Sequence, residues 1–271
     1  MRIDAHQHFW QYNSGMEWIT PAMSAIRKDF SAQDLLPVLQ ANNIDGCIAV
    51  QVDQTLKETD TLLSIAAEHS FIKGVVGWID LCAADIEQQL GYYRAAPLLK
   101  GFRHILQGED PGFMLQPSFT HGIGVLGKHG FTYDILVYPK HLPAVLELVK
   151  QFPQQRFIID HLAKPLIKTG ELTDWAKDMR AIAAYENVYC KVSGMVSEAD
   201  WENWQQADFV PYLDVVAGSF GTGRLIFGSD WPVCLTAASY AAVIAIVEKY
   251  FSADESAAVF GKNATAFYQL S

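Results

Sequence analysis

The chain has 271 residues, half of them hydrophobic and 18% charged, with a formal net charge of −10 at pH 7. That length suits one large α/β barrel as well as two smaller domains. The acidic balance argues against a nucleic-acid or anionic-membrane partner, since both select a basic face.

The first candidate strand is RIDAHQH (2–8), and SAQDLLPVLQANN (31–43) follows as a helix whose Ser31 and Asp34 suit its first turn. GCIAVQV (46–52) and GVVGWID (74–80) read as strands two and three, followed by helical patterns at 59–69 and 83–96. LKGFRHI (99–105) is the fourth strand, and the Gly-interrupted segment after it is a weaker helix. FTYDILVY (131–138), RFIIDH (156–161), VYCKVSG (188–194) and RLIFGSD (224–230) complete eight strands. Helical patterns lie at 142–152, at 173–185 with Thr173 and Asp174 suited to its start, around 209–220, at 237–251 and in a tail around 263–270. No Gly/Ser/Pro-rich linker divides the chain.

Strict alternation of strand and helix means parallel strands, and eight repeats close naturally into a (β/α)8 TIM barrel, here one domain over residues 1–271. The rival, an open doubly wound sheet, would place a Gly-rich phosphate turn after the first strand. Histidines stand there instead.

Four cysteines, Cys47, Cys82, Cys190 and Cys234, show no metal-ligand or redox spacing and read as free thiols in a reducing compartment. Neither a signal-peptide pattern nor a run of about 18 apolar residues occurs. A cytoplasmic protein is expected, either a monomer or a homo-oligomer.

Barrel chemistry sits at the C-terminal ends of strands. Those positions hold His6 and His8 with Trp10 beyond, Gln51 and Asp53, Trp78 and Asp80, Arg103 and His104, and Asp134 and Tyr138. The later strands offer His161 with Lys164, then Lys191 and Ser193, and finally Asp230 with Trp231. Residues i and i+2 on a strand share a face, so His6 and His8 reach one point. Imidazole is a good ligand for zinc and similar ions, although hydrogen bonds to carbonyls or water would equally satisfy such a pair. Arg103 would serve as well in a surface ion pair, Asp230 as a helix cap, and the tryptophans as packing.

HxH on the first strand, a His ending the sixth and an Asp ending the eighth resemble the amidohydrolase superfamily. RIDAHQHFW, GWIDL, KGFRH, IDHLAKP, YCKVSGM, LIFGSDWPV and GKNATAFYQL together resemble its sugar-lactone branch, with L-fuconolactonase-like and L-rhamnonolactonase-like members and a pyrone-dicarboxylate lactonase. The likeness runs from residue 1 to about residue 270. It implies hydrolysis of a cyclic ester, with His6, His8, His161 and Asp230 as catalytic centre and as ligand set for any metal. Asp230 would activate water, and the histidines with Arg103 or a metal would polarise the carbonyl. No lysine is placed to bridge two metals as in binuclear relatives, so one divalent ion such as zinc, or none, is implied. Arg103, His104, Trp10, Trp78, Gln51, Lys164 and Trp231 are the expected substrate contacts. The low count of cations and the many aromatics favour a neutral sugar lactone. The alternatives are a pyrone-dicarboxylate-type lactonase, a metal-dependent decarboxylase of the same superfamily and a non-catalytic sugar-acid binder.

Overall fold

Nearly unbroken apolar strands imply a sheet covered on both faces. The computed structural model describes residues 1–271, with strands β1 (Ile3–Gln7), β2 (Gly46–Val50), β3 (Ile72–Gly77), β4 (Leu99–Ile105), β5 (Thr132–Leu136), β6 (Phe157–Ile159), β7 (Val188–Val192) and β8 (Leu225–Phe227). Sequence neighbours pair in parallel from β1 through β8. Backbone bonds just past β8 close the ring: the Asp230 N–H donates to the His6 carbonyl (2.8 Å) and the His8 N–H to that of Trp231 (2.7 Å). The expected (β/α)8 barrel is present.

Helices α1 (Ala32–Ala41), α2 (Leu56–Glu68), α3 (Ile86–Tyr93), α4 (Pro117–Lys128), α5 (Leu142–Gln151), α6 (Thr173–Ala183), α7 (Gln206–Phe220) and α8 (Tyr240–Glu248) surround it, and α9 (Ala253–Ala257) and α10 (Asn263–Tyr268) end the chain. No helix is long and apolar enough to cross a membrane. Ser31 and Asp34 form the capping box expected at α1. Thr173 instead enters α6 as its first residue, without a side-chain cap. The weak segment after β4 is a full helix, α4, whose glycines serve packing: a Cβ on Gly122 would stand 2.2 Å from the Leu81 carbonyl oxygen.

The barrel interior is filled below the site by Ile3, Ala5, Ile48, Val50, Val76, Ile158 and Ile226, sealed by Phe267 and Tyr268 of α10. The larger apolar cluster lies between strands and outer helices. The tail helix is thus the floor beneath the mouth.

Candidate active site

β1 does not keep strict alternation. Asp4 pairs with Cys47 and Gln7 with Ala49, so β1 has one residue more than β2 over this step. Such a bulge re-aims side chains. Ala5 packs in the interior, while Asp4 turns outward to accept bonds from Ser229 N–H (2.8 Å), Ser229 Oγ (2.6 Å) and the Tyr240 hydroxyl of α8 (2.9 Å). His6 and His8 still share a face, their Nε2 atoms 3.2 Å apart. Gly228 makes room for them, since a Cβ there would stand 2.5 Å from the His6 Cβ.

The sequence places His161 and Asp230 at strand ends, but the strands stop at Ile159 and Phe227. Both residues lie just beyond, in left-handed conformation. His161, Leu162, Ala163 and Lys164 have φ between 52° and 59°, and Asp230 has φ 59°. Each such non-glycine residue costs roughly 1–2 kcal/mol, and strain of this kind concentrates at functional sites. Three anchors hold the 161–164 turn. Ser193 Oγ lies 2.9 Å from His161 Nδ1, Trp175 Nε1 donates to the Leu162 carbonyl (2.7 Å), and Lys164 Nζ meets Glu198 at 2.6 Å. Gly194, with φ 62°, passes so close that a Cβ would stand 2.5 Å from His161 Nδ1.

One carboxylate oxygen gathers the imidazoles. Asp230 Oδ1 lies 3.4 Å from His8 Nε2, 3.8 Å from His161 Nε2 and 3.9 Å from His6 Nε2. His8 Nδ1–H donates to the Val50 carbonyl (2.8 Å), which leaves its Nε2 lone pair inward. His6 Nδ1 lies 3.4 Å from the Asp160 Oδ1 acceptor, which places the proton on Nδ1 and leaves the lone pair on Nε2, where the donor-only Arg103 stands 3.2 Å away. Burial pushes the His6 and His161 imidazoles well below the usual histidine range. Burial alone would raise Asp230, but His161, His8 and Lys164 hold it below the ordinary carboxylate value. Neutral His6 and His161 facing an anionic carboxylate form a donor set suited to a divalent cation. His6, His161 and Asp230 offer ligand atoms within 4.8 Å of one another; His8, the fourth expected ligand, is not in that group of three.

Beneath this cluster lies a buried ionic network. Arg103 Nη1 donates to Asp160 Oδ2 (3.1 Å). Lys191 Nζ reaches Asp160 Oδ1 (2.9 Å), contacts Asp134 Oδ2 and stands 3.2 Å from His6 Nδ1. Tyr268, in the floor, donates to Asp134 (2.8 Å). Burial would raise Asp160, but Lys191, His6 and Arg103 hold it well below the usual value, whereas burial pushes Asp134 up to about 6 against the pull of Lys191.

The remaining expected contacts divide. Gln51 is fully buried and braces Arg103: its Nε2 donates to the Arg103 carbonyl (3.0 Å), and the Arg103 guanidinium donates to its carbonyl. Trp231 packs on Phe9 and Phe30, and Trp10 on Trp18 and Phe30 with its N–H given to the Lys28 carbonyl. Both indoles are buried. Trp78 and His104 are partly exposed neighbours, Nε1 to Nδ1 3.4 Å, with His104 stacked on Phe113. Asp160, Glu198, Ser229 and Tyr268 went unread in the sequence. Asp160 could have been suspected from its place beside His161 in IIDH; the others carry no local signal.

Histidines from the first strand meeting a His and an Asp from beyond the sixth and eighth make this an amidohydrolase-type barrel. The chain belongs to the amidohydrolase family, whose profile matches residues 3–270. It is 38% identical to the L-fucono-1,5-lactonase of Burkholderia ambifaria, covering 99% of this chain and 96% of that one. It is 36% identical to the L-fucono-1,5-lactonase of Burkholderia multivorans, with coverage of 100% and 96%. A crystal structure of an amidohydrolase from Burkholderia multivorans with bound zinc superposes over the whole of both chains with a TM-score of 0.95 at 36% identity.

Proposed function

We propose that this protein hydrolyses a neutral sugar lactone of the L-fucono-1,5-lactone type to its open-chain acid. The observation that carries this reading is one carboxylate oxygen, Asp230 Oδ1, within 3.4 to 3.9 Å of three imidazole nitrogens. The full-length likeness to two enzymes named L-fucono-1,5-lactonase points the same way.

Lactone hydrolysis needs an activated water, a place for charge on the carbonyl oxygen and a proton for the ring oxygen. Asp230, held anionic, takes a proton from water as the water oxygen bonds to the carbonyl carbon. That proton passes to the ring oxygen as the acyl C–O bond breaks, leaving a hydroxyl and a carboxylic acid. Positioned proton transfer of this kind contributes about 10²–10⁴-fold. Arg103 offers an N–H donor beside the His6 imidazole for the developing oxyanion, and a donor so aimed is worth about 3–4 kcal/mol. Zinc held by His6, His161 and Asp230, with His8 beside them, would add Lewis acidity. An alkoxide leaves an ester more readily than an amine leaves an amide, so modest electrophilic help suffices.

Substrate charge separates this reading from its rivals. Arg103 is paired with Asp160, Lys191 with Asp134 and Asp160, and Lys164 with Glu198. Each of these cations is already neutralised, and none is free for the carboxylates of a pyrone dicarboxylate or of a decarboxylase substrate. All four cysteines are unpaired, which fits a reducing compartment such as the cytoplasm.

A pH-indicator screen of purified protein against neutral aldonolactones and a pyrone dicarboxylate tests the reading. Acid release from neutral lactones, and none from the pyrone, is expected. Turnover of the pyrone alone, or of no lactone, would refute it.

A further inference from the structure

We propose that Lys164 and Glu198 together seat two adjacent hydroxyl groups of the lactone ring, which makes Glu198 a specificity-determining residue. This deepens the lactonase reading and rests on it.

Lys164 ends the left-handed turn that carries His161, and Glu198 ends the short turn Val196–Glu198 that follows β7. Both belong to loops at the C-terminal face of the barrel, the face of the Asp230 cluster. Lys164 Nζ meets Glu198 Oε1 at 2.6 Å, and the two side chains remain 15% and 19% exposed, so the pair is sheltered yet reachable. Lys164 makes no other side-chain hydrogen bond, and Glu198 Oε2 accepts none. Lys164 is also close enough to Asp230 for each to shift the ionisation of the other.

The chemistry of the pair selects its ligand. A hydroxyl both donates and accepts, so two on neighbouring carbons can accept from the ammonium and donate to the carboxylate at once. A substrate carboxylate can only accept and would be repelled by Glu198. Ammonium and carboxylate side by side carry no net charge, matching a polyhydroxylated neutral ring. Tyr138, 41% exposed on the loop after β5 and electrostatically coupled to Lys164, stands on the same side.

The pair also braces the strained turn, and the test must separate the two roles. The kcat/KM of the protein is measured for L-fucono-1,5-lactone and for δ-valerolactone, the same ring without hydroxyls, with each compound also read as a competitive inhibitor of the other. In Glu198→Gln the preference for the hydroxylated ring should fall about tenfold to hundredfold, the range for losing a hydrogen bond to a charged group. Lys164→Gln should reduce the same ratio, so the result does not hang on one variant folding. Equal losses on both rings, leaving the ratio unchanged, would reduce the pair to a brace and overturn the proposal. A wild type inert toward both rings would overturn the lactonase reading itself.

Discussion

Lys191 Nζ lies 3.2 Å from Nδ1 of His6, though 185 positions separate the two residues in the chain. The barrel brings them together because β1 and β7 both direct a side chain at its axis, one neighbour either side of β8. The ammonium stands between two buried carboxylates, so His6 is braced from below by a network that reaches the floor at Tyr268.

That network should dominate stability near the site. Lys191→Met leaves Asp134 and Asp160 facing each other without their shared cation, and breaking a buried ion pair on one side costs about 3–5 kcal/mol. Urea unfolding followed by circular dichroism checks this, and a loss under about 1 kcal/mol would show the pair to be dispensable.

Gly194 should be intolerant of the smallest side chain. Its φ of 62° disfavours alanine, and the added Cβ would press on His161 Nδ1. Displacing the imidazole by about 1 Å can cost about 100-fold in rate. Gly194→Ala should therefore lower kcat by about that factor, read in steady-state kinetics, while Gly130→Ala, equally left-handed but open to space, should affect only stability.

The same geometry bears on metal. Zinc titrated into chelator-stripped protein and followed by calorimetry should bind at about one per chain. Ser193→Ala removes the partner of His161 Nδ1 and should weaken binding by about 10–100-fold. Unchanged affinity would place the ion elsewhere.

The acid limb of activity follows from the shifted groups. Asp230 has a folded pKa below the ordinary carboxylate value, so its charge is present above that range and lost only as pH falls through the lowered value. His6 and His161 are also lowered, and stay neutral as pH falls through the normal histidine range near 6.5. A kcat/KM profile from pH 8 downward should therefore show no step near 6.5, its acid limb lying lower. A step near 6.5 would mean that a histidine other than His6 and His161 controls the rate.

Much of this was readable in the sequence, for physical reasons that also mark where reading stops. Strand periodicity put His6 and His8 on one face, and strand-then-helix order implied the barrel. The bulge that turns Asp4 outward leaves no compositional trace, so alternation alone would have placed Asp4 beside His6. Leu162, Ala163 and Lys164 are ordinary right-handed residues by type, and only tertiary anchors reveal the left-handed turn. Trp10 and Trp231 read in the sequence equally as substrate contacts or as packing, because an aromatic beyond a strand end looks the same either way, and the structure buries both against neighbouring aromatic rings. Tyr268 lay too far along the chain to be linked with Asp134 before the floor of the barrel was seen.

The most direct test of the central claim compares wild type with Asp230→Asn on L-fucono-1,5-lactone, acid release being followed by pH-stat and folding by circular dichroism. If Asp230 moves the proton, the variant stays folded and turns over about 10²–10⁴-fold more slowly. A folded variant with near wild-type turnover would contradict the account.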